Sequence, residues 1–284
     1  MQIVTDSSVM LSTAEGRERG LVVLPLSVSV SGKTWLEYDE ISPEDFMNLV
    51  RQGDVPTSSS PPAGLTINAY DTDEEVIHIT MADGLSGSYE VACGLQPQAK
   101  HPERVHILNS RTLCVPHRVL VYHARNLAKE GHKPHDILDK LKGMVDSAHS
   151  YLIPEDFDFL RRGGRLTPLA AKVVTMIKAV PVMEQTPDGK RLERFTITRA
   201  FEKAIHAIIE DLKKRKINDN FYIGISHADN TPHATKAGDM IAKAFPRCRQ
   251  GIFGLSPAFI TQGGPGCVAI QAIDIRSCPG IELS

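Results

Sequence analysis

The sequence predicts an α/β protein made of two domains. In the first half of the chain, short apolar runs typical of strands alternate with longer stretches of helical periodicity, and a second set of such elements follows in the other half. Alternation of this kind favours parallel strands joined by crossover helices. The chain has 284 residues, 42% of them hydrophobic, which is enough to build two cores.

The first domain is expected over residues 1–150, with a mainly parallel sheet flanked by helices. Strands are predicted at residues 3–5, 22–30, 76–80 and 105–108, and helices at residues 43–51, 89–96, 116–129 and 134–144. The apolar run at 21–30 is interrupted by Pro25 and by serines, so it is far shorter than the roughly 20 apolar residues of a membrane span. It predicts a bent strand or a buried pair of strands.

The second domain, residues 151–284, is expected to be a smaller, layered α/β unit. A basic glycine turn at 161–165 precedes a predicted helix at 168–177, a strand at 180–184 and a hairpin turn at 187–190 that leads to a strand at 195–197. Further strands are predicted at 221–226, 252–255 and 267–270, with a helix at 234–244. An amphipathic helix at 199–214 carries an apolar face formed by Phe201, Ala204, Ile205, Ile208 and Leu212.

Composition and charge exclude several classes of function. Lys+Arg number 32 against 34 Asp+Glu, and the basic residues are dispersed, so we expect no nucleic-acid partner. The chain opens on a strand rather than on a signal peptide, which predicts a cytoplasmic protein that touches a membrane surface at most transiently. Five widely spaced cysteines without a C-x-x-C pattern indicate reduced thiols. The histidines show no metal-ligand spacing, and we expect no metal.

A hydroxyl and glycine turn at Leu85-Ser86-Gly87-Ser88-Tyr89, between a predicted strand and a predicted helix, is the strongest candidate site. The first turn of a helix leaves backbone N–H groups unpaired at the positive end of its dipole, and Gly87 lets a ligand approach the backbone. These features are typical of an anion site. A serine before a helix is also a common N-cap, so the turn allows that interpretation as well.

Other polar turns follow the predicted strands. The first of them, Thr5-Asp6-Ser7-Ser8, favours a helix cap or an Asx turn, and Asn109-Ser110 predicts an ordinary turn. The run Thr57-Ser58-Ser59-Ser60 is stiffened by Pro56, Pro61 and Pro62, which suits either a linker or a loop that holds a ligand. The glycines of Gln262-Gly263-Gly264-Pro265-Gly266 indicate a close approach of backbone to backbone or to a ligand.

The basic turn Arg161-Arg162-Gly163-Gly164-Arg165 could bind phosphate or could be solvated, and it lacks P-loop spacing. The sequence shows neither a G-x-S-x-G elbow nor paired carboxylates in apolar surroundings, so an enzyme is the weaker interpretation. One alternative function is therefore an enzyme or sensor for a small phosphorylated metabolite. In that case Arg161, Arg162 and Arg165 would hold the phosphate.

Six of these motifs, taken in order along nearly the whole chain, resemble the DegV family. They are Thr5-Asp6-Ser7-Ser8, Thr57-Ser58, Leu85-Ser86-Gly87-Ser88-Tyr89, Asn109-Ser110, Gly163-Gly164-Arg165 and Gly264-Pro265-Gly266. The resemblance implies a bacterial fatty-acid-binding protein of two α/β domains with the ligand between them. It also implies a separate fatty acid kinase as partner, which phosphorylates the carboxyl group of the bound acid, and no cofactor. A further hypothesis makes the turn at 161–165 a docking surface for that kinase.

The resemblance also implies the site residues. Thr57, Ser86 and Ser88 would bond the carboxylate, with Ser58 and Gly87 beside them, and Arg165 would belong to the polar network behind the head group. Gln262 stands where the family usually has a histidine, next to Gly263; an amide can donate a hydrogen bond but cannot become cationic. Asn109 and Ala82 replace the more usual aspartate and serine. Apolar candidates for the tunnel wall are Leu24, Leu26, Leu169, Val173, Met176, Ile177 and Phe259.

Overall fold

The first half of the chain builds the mainly parallel sheet that its sequence predicts. The computed structural model describes residues 1–172 and 179–283. Its first sheet is entirely parallel and has helices on both faces, which confirms the expected α/β architecture. In spatial order the strands are β2 (Val22–Leu24), β1 (Gln2–Asp6), β6 (Val76–Thr80) and β7 (Val105–Asn109). The helices are α1 (Thr13–Glu18), α2 (Pro43–Arg51), α3 (Ala63–Tyr70), α4 (Ser88–Leu95), α5 (Cys114–Lys129) and α6 (Pro134–Val145).

The predicted strand at 22–30 divides at Pro25 into two strands that belong to different sheets. Its second part, β3 (Ser27–Val30), lies between β4 (Lys33–Leu36) and β5 (Thr57–Ser59) in a three-stranded antiparallel sheet. The hydroxyl run at 57–59 is therefore a strand, where the sequence indicated only a stiff, extended segment. Proline cannot donate to a sheet ladder, and this explains why the chain changes sheets at this residue.

The second half of the chain forms a six-stranded mixed sheet. Its outer face is covered by α8 (Phe201–Lys214) and α9 (Thr231–Ala244), and the predicted apolar face of α8 is buried except for the partly exposed Phe201. Burial of a side chain such as Ile205 or Leu212 contributes about 1.5–3 kcal/mol. In spatial order the strands are β10 (Leu192–Thr198), β9 (Val180–Gln185), β8 (His149–Ile153), β13 (Val268–Asp274), β11 (Phe221–His227) and β12 (Arg249–Gly254).

Helix α5 joins the two halves of the molecule. It packs on β1 of the first sheet and on β11 and β13 of the second, so one core cluster contains Val119 together with Tyr222 and Ile273. Two further short helices, α7 (Phe157–Arg162) and α10 (Pro257–Gly263), contact each other, and α10 also packs on β3 and β5. The sequence did not predict α1, α3, α7 or α10. The expected division near residue 150 falls within β8, which pairs with β9 and β13.

The predicted helix at 168–177 is only partly within the described residues. Its first residues form a short 3₁₀ turn at Ala170–Lys172, and residues 173–178 lie outside the described part of the chain.

All five cysteines are free thiols. Among the helices of the described ranges, none combines the length and the apolar character that a membrane crossing requires.

Candidate functional site

A largely apolar cavity lies between the six-stranded sheet and the loops of the first sheet. It spans about 690 Å³, part of which is open to solvent, and we call it the apolar cavity. Its walls come from the loop after β6, the start of α5, the inner face of β8 and β13, and helices α7 and α10. The lining residues are Met81, Leu85, Leu113, Cys114, Ser150, Tyr151, Leu152, Leu160, Arg165, Leu192, Leu255, Phe259, Gln262, Gly263, Cys267, Ala269 and Gln271.

Gln271 is one of the few polar side chains in this lining, and its amide is fully engaged. Nε2 donates to Leu113 O at 3.1 Å and to Ser150 Oγ at 3.0 Å, and Oε1 accepts from Val115 N at 3.3 Å. The side chain is 2% exposed. Because its donors and one acceptor site are satisfied by the protein, Gln271 can form part of an apolar wall without the cost of an unpaired polar group.

A polar space adjoins the apolar cavity, and we call it the polar mouth. It spans about 690 Å³, part of which is open to solvent. It shares five lining residues with the apolar cavity: Met81, Leu85, Phe259, Arg165 and Gln262. Arg165 is the only charged side chain among its described lining residues. The other lining residues are Leu26, Ser58, Ser59, Ser60, Ser86, Gly87 and Ala258. Hydroxyls and one cation next to a long apolar space suit a ligand with an anionic head and an apolar body.

The turn before α4 contributes Ser86 and Gly87 to the polar mouth. Gly87 is the N-cap of α4, while Ser86 Oγ accepts from Ser88 N at 3.2 Å and lies 2.9 Å from Ser88 Oγ. Ser86 therefore accepts a hydrogen bond from the first backbone N–H of α4 and also lines the polar mouth, although the N-cap residue itself is Gly87. Ser88 is buried and is not among the lining residues.

Helix α10 carries Gln262 to the point where the spaces meet. Thr261 Oγ1 donates to Ala258 O at 2.7 Å, so it can only accept from Gln262 Nε2, which lies 3.1 Å away. This contact sets the orientation of the amide. Gln262 Nε2 also reaches Ser58 Oγ at 3.4 Å, which ties α10 to β5. Gln262 Oε1 is buried, has no hydrogen-bond partner among the described residues and packs on Gly163, where a Cβ would lie 2.2 Å from it.

Glu37 holds the other end of α10, a role that no motif of the sequence indicates. Its fully buried carboxylate accepts from Ala258 N at 2.7 Å and from Ser7 Oγ at 2.5 Å. Burial raises the pKa of Glu37 to about 7; the hydrogen bonds from Ser7, Ala258 and Ser256 oppose that rise, and the charge of Asp6 adds to it. Glu37 lies 221 residues from Ala258 in the chain, so no local pattern could identify the pair.

The three arginines of the turn at 161–165 do not converge on one point. Arg161 pairs with Asp158 at 2.8 Å, and the guanidinium of Arg162 lies over the ring of Phe159 at 4.7 Å. Arg165 donates from Nε to Leu85 O at 3.2 Å and from Nη1 to Gly163 O. Desolvation, followed by the nearby Arg191, lowers the pKa of Arg165. Arg161 is therefore held by its own helix and does not join the other two arginines that the alternative hypothesis assigns to a phosphate.

Arg162 and Arg165 do line a common space beside the polar mouth, which we call the basic groove. It spans about 590 Å³, part of which is open to solvent, and shares Ser58, Arg165 and Gln262 with the polar mouth. Thr57 lines this groove rather than the polar mouth. Its other lining residues are Val55, Pro56, Phe159, Gly163 and Thr261.

Most of the expected site residues therefore lie around these three spaces. Ser58, Ser86, Gly87, Arg165 and Gln262 line the polar mouth, Gly263 lines the apolar cavity and Thr57 lines the basic groove. Of the candidate tunnel-wall residues, Leu26 and Phe259 line these spaces, whereas Leu24 packs in a separate core and Leu169 is 78% exposed. Candidates Val173, Met176 and Ile177 lie outside the described residues.

The polar turn after β1 is a buried brace. Asp6 Oδ1 accepts from Ser8 N at 3.1 Å, which confirms the cap interpretation, and Asp6 Oδ2 accepts from Met81 N at 2.9 Å. The brace therefore positions the loop that carries Met81 into both spaces. At the end of β7, Asn109 Oδ1 accepts from Arg111 N at 2.9 Å, as in an ordinary turn. In the described ranges, no group of three histidine, cysteine, aspartate or glutamate residues is placed to hold a metal ion.

Comparison with known proteins defines the class to which this fold and site belong. Residues 1–274 match the family model described as "Uncharacterised protein, DegV family", and the chain belongs to this family. The DegV domain-containing protein YejH of Lactococcus lactis is 28% identical over 280 residues, covering 95% of this chain and 98% of the relative. A DegV domain-containing protein of Halalkalibacterium halodurans is 27% identical, covering 95% and 96% of the two chains.

Solved structures share the fold over nearly their whole length. DegV of Bacillus subtilis, a fatty acid binding protein, superposes with a TM-score of 0.83 at 23% identity, covering 96% of this chain and 98% of that chain. A DegV family protein from Thermus thermophilus, whose fatty acid binding has been described, superposes with a TM-score of 0.85 at 23% identity. The match covers 96% of this chain and 99% of that chain. A stearic acid-binding protein from Eubacterium ventriosum superposes with a TM-score of 0.85 at 18% identity, and the match covers 96% of this chain and 98% of that chain.

Proposed function

We propose that this protein binds a long-chain fatty acid, with its alkyl chain in the apolar cavity and its carboxylate in the polar mouth. The ligand would then lie between the domains at 1–150 and 151–284. The observation that carries the proposal is that the two spaces share five lining residues, among them Arg165, the charged side chain of the polar mouth. The fatty acids bound by relatives of the same fold support it.

The alkyl chain supplies most of the affinity. Burial of about a dozen methylenes at roughly 0.8 kcal/mol each contributes about 10 kcal/mol. Association and ordering cost several kcal/mol of this gain. The remainder is compatible with tight binding of a single-chain lipid.

The carboxylate needs several donors, because burying it unpaired would cost several kcal/mol. We assign this role to Ser58 and Ser86, with Arg165 as the cation and the backbone at Gly87 as a further donor. Gln262 borders the head group but stays neutral at every physiological pH. Ser88 supports Ser86 through their hydroxyl contact, and Thr57 reaches the head group from the basic groove.

We further propose that the protein is a carrier that presents the carboxylate to a fatty acid kinase, and is not itself an enzyme. Among its described lining residues the polar mouth contains no aspartate, glutamate, histidine or cysteine, so it offers no general base or nucleophile of these types. We propose that the carrier acts in the cytoplasm, where ATP is available to such a kinase, and that it contacts a membrane surface only briefly. No cofactor is required for this role.

Lipid extraction and native mass spectrometry of freshly purified protein test the proposal. We expect one fatty acid molecule to be bound per protein chain. Ser58→Ala combined with Ser86→Ala should weaken binding about tenfold or more, because hydrogen bonds to a charged group contribute about 1.5–3 kcal/mol. The matched pair Thr57→Ala with Ser88→Ala should weaken it less. Repeated preparations without fatty acid would contradict the proposal. A larger loss of affinity in the variant with Thr57→Ala and Ser88→Ala would show that the carboxylate lies nearer to these two residues than to Ser58 and Ser86.

The basic groove keeps one alternative open, a sensor or enzyme for a small phosphorylated metabolite. Two arginines of the turn line this groove, although Arg161 does not. The two functions differ in a melting experiment, because only a bound ligand raises the melting temperature. Stabilisation by a sugar phosphate and not by a fatty acid would favour the alternative.

A further inference from the structure

Two polar side chains lie side by side in the wall of the apolar cavity, away from the polar mouth. Gln271 of β13 and Ser150 of β8 stand directly opposite each other in the antiparallel ladder, and both line the cavity. Both are buried, and neither lines the polar mouth. A largely apolar wall therefore carries one buried polar pair at a distance from the proposed head-group site, and we call it the Ser150–Gln271 pair.

The backbone at the start of α5 fixes the Gln271 amide in one orientation. Val115 N–H needs an acceptor and Leu113 O needs a donor, so Oε1 must face the first and Nε2 the second. The other N–H of Nε2 donates to Ser150 Oγ at 3.0 Å. The reversed amide would set a donor against Val115 N and an acceptor against Leu113 O. The hydrogen bond between Gln271 and Ser150 therefore has a fixed direction.

Two hydrogen-bonding positions of the Ser150–Gln271 pair remain unused. Ser150 Oγ accepts from Gln271, but within residues 1–172 and 179–283 its own proton has no acceptor. Gln271 Oε1 accepts only from Val115 N in the same ranges, which leaves one of its lone pairs. Ser150 also lines a polar space beside β9, yet no hydrogen bond joins its hydroxyl to the described residues of that space. One donor and one acceptor are therefore available side by side.

A hydroxyl group on the ligand would complement this pair. It can accept from the Ser150 hydroxyl and donate to Gln271 Oε1, because an alcohol carries a donor and acceptors on one atom. A methylene can satisfy neither position. An alkyl chain with a hydroxyl at this level would therefore use both positions, whereas a plain alkyl chain leaves a buried donor unpaired, which is unfavourable.

The length of the strand wall indicates which part of the chain meets the pair. Cys267, Ala269 and Gln271 line the cavity from alternate positions, and Cys267 adjoins Gly263, the neighbour of Gln262 at the polar mouth. Four residues of strand separate Cys267 from Gln271 by about 13 Å. An extended alkyl chain covers this distance in about ten C–C bonds, because each bond of about 1.5 Å advances the zigzag by about 1.25 Å. The middle of an eighteen-carbon chain would therefore lie against the pair.

We propose that the Ser150–Gln271 pair is a hydroxyl subsite, and that the apolar cavity accepts long-chain fatty acids hydroxylated in the middle of the chain. This inference rests on the proposed function and names a ligand class for the same cavity. Ser150 donates to the ligand hydroxyl, and Gln271 Oε1 accepts from it. A hydroxyl placed nearer the head would lie against Cys267 and Ala269, where the wall of β13 offers no such pair.

Calorimetric titration of lipid-free protein with stearate and its hydroxylated derivatives tests the subsite. The derivatives carry the hydroxyl on carbon six, ten or twelve. Wild type should bind the better of the ten- and twelve-hydroxy acids about tenfold more tightly than the six-hydroxy acid, since only the former pairs its buried hydroxyl. All four ligands have the same chain length, so the comparison isolates the position of the hydroxyl.

Ser150→Ala and a matched serine variant locate the effect. In Ser150→Ala, affinity for the preferred hydroxy acid should fall about tenfold relative to affinity for stearate, because the donor is lost while the alkyl contacts remain. The control is Ser226→Ala, which truncates a buried serine of the same sheet that donates to Met10 Sδ and does not line the cavity. It should keep the wild-type ratio of the two affinities.

The outcomes separate the subsite from the fatty-acid function. Equal losses for stearate and the hydroxy acid in Ser150→Ala, at unchanged melting temperature, would overturn the subsite and leave fatty-acid binding intact. Equal wild-type affinities for the six-, ten- and twelve-hydroxy acids would overturn it as well, without the need for a variant. Failure of wild type to bind stearate or any derivative would instead contradict the proposed function, and the subsite with it.

Discussion

Gln262 lines the apolar cavity, the polar mouth and the basic groove, so one amide touches all three spaces. The Thr261 hydroxyl donates to Ala258 O and accepts from Gln262 Nε2, and this contact sets the orientation of the Gln262 amide. In that orientation Gln262 Oε1 packs on Gly163. Gln262 stands where the family resemblance implies a histidine, which can carry a charge. At the residue scale, the consequence is that the proposed head-group site has no charge at this position that could change with pH.

Gln262→His should make fatty-acid binding depend on pH. A carboxylate within about 4–6 Å raises the pKa of a histidine by about 1–3 units, so affinity should rise as pH falls through the raised pKa of the complex and level off below the ordinary histidine value of about 6.5. The gain should be about tenfold for each unit of the pKa shift. Binding constants from pH 5.5 to 8, compared with wild type and with Gln262→Asn, measure it. Identical profiles for all three proteins would place the carboxylate away from Gln262.

Helix α10 is the element that links the first half of the chain to all three spaces. It contributes Phe259, Gln262 and Gly263 to the site, and its first turn is held by Glu37. A seven-residue helix has little stability of its own, so its position depends on such tertiary contacts. Glu37 thus acts on the site through α10 rather than by touching a ligand.

Burial of Glu37 should make stability fall as pH rises. The pKa of Glu37 is about 7 in the folded protein against an ordinary 4.5, so between these values the folded state holds a proton that the unfolded state has lost. The stabilisation by this proton is fully present below about pH 4.5, declines as pH rises to about 7 and does not change further above that pH. Urea unfolding at pH 5 and at pH 7.5 measures this effect. Between these pH values the free energy of unfolding of the wild type should fall by about 2 kcal/mol more than that of Glu37→Gln.

The control for this experiment is Glu44→Gln, an exposed glutamate in the first turn of α2. It should follow the wild-type pH dependence. If Glu37→Gln followed it too, the buried carboxyl would not be the group that titrates in this range.

At the scale of the whole molecule, the hairpin between β9 and β10 braces the loop that leads to the polar mouth. Lys190 pairs with Asp83 of this loop at 3.3 Å, and Gln185 Nε2 donates at 3.1 Å to Arg111 O in the neighbouring loop after β7. Gly84 packs so closely on the hairpin that a Cβ there would lie 2.3 Å from the Lys190 backbone. The second half of the chain therefore sets the position of Leu85 and Ser86.

Gly84→Ala should displace this brace and weaken fatty-acid binding several-fold, because the close approach to Lys190 leaves no room for a methyl group. Gly94→Ala is the matched control. It lies in α4, nothing is within 4 Å of its added Cβ, and replacing a helical glycine by alanine stabilises by about 0.5–1 kcal/mol. Calorimetric titration with palmitate compares the two. Equal affinities would show that the hairpin does not position the polar mouth.

Several parts of the fold could be predicted because their signals are local. The strands at 76–80 and 105–109 and the helices at 43–51 and 134–145 follow from periodicity, caps and turn residues. The strand at 57–59 could not, since Thr-Ser-Ser has no apolar alternation. Its extended backbone becomes a strand only by pairing with β3 and packing on α10. Helices α7 and α10 are likewise too short to leave a clear periodic signal.

The sequence by itself determined the α/β class, most long elements and the polar turns from which the candidate site is built. Only the tertiary structure decided which of these turns meet: Ser58 with Gln262, Arg165 with Leu85, and Gln271 with the start of α5. It also separated Arg161 from Arg162, which are neighbours in the chain. The reason is physical. Periodicity and capping arise between residues a few positions apart, whereas a cavity depends on contacts between residues as far apart as Ser58 and Gln262.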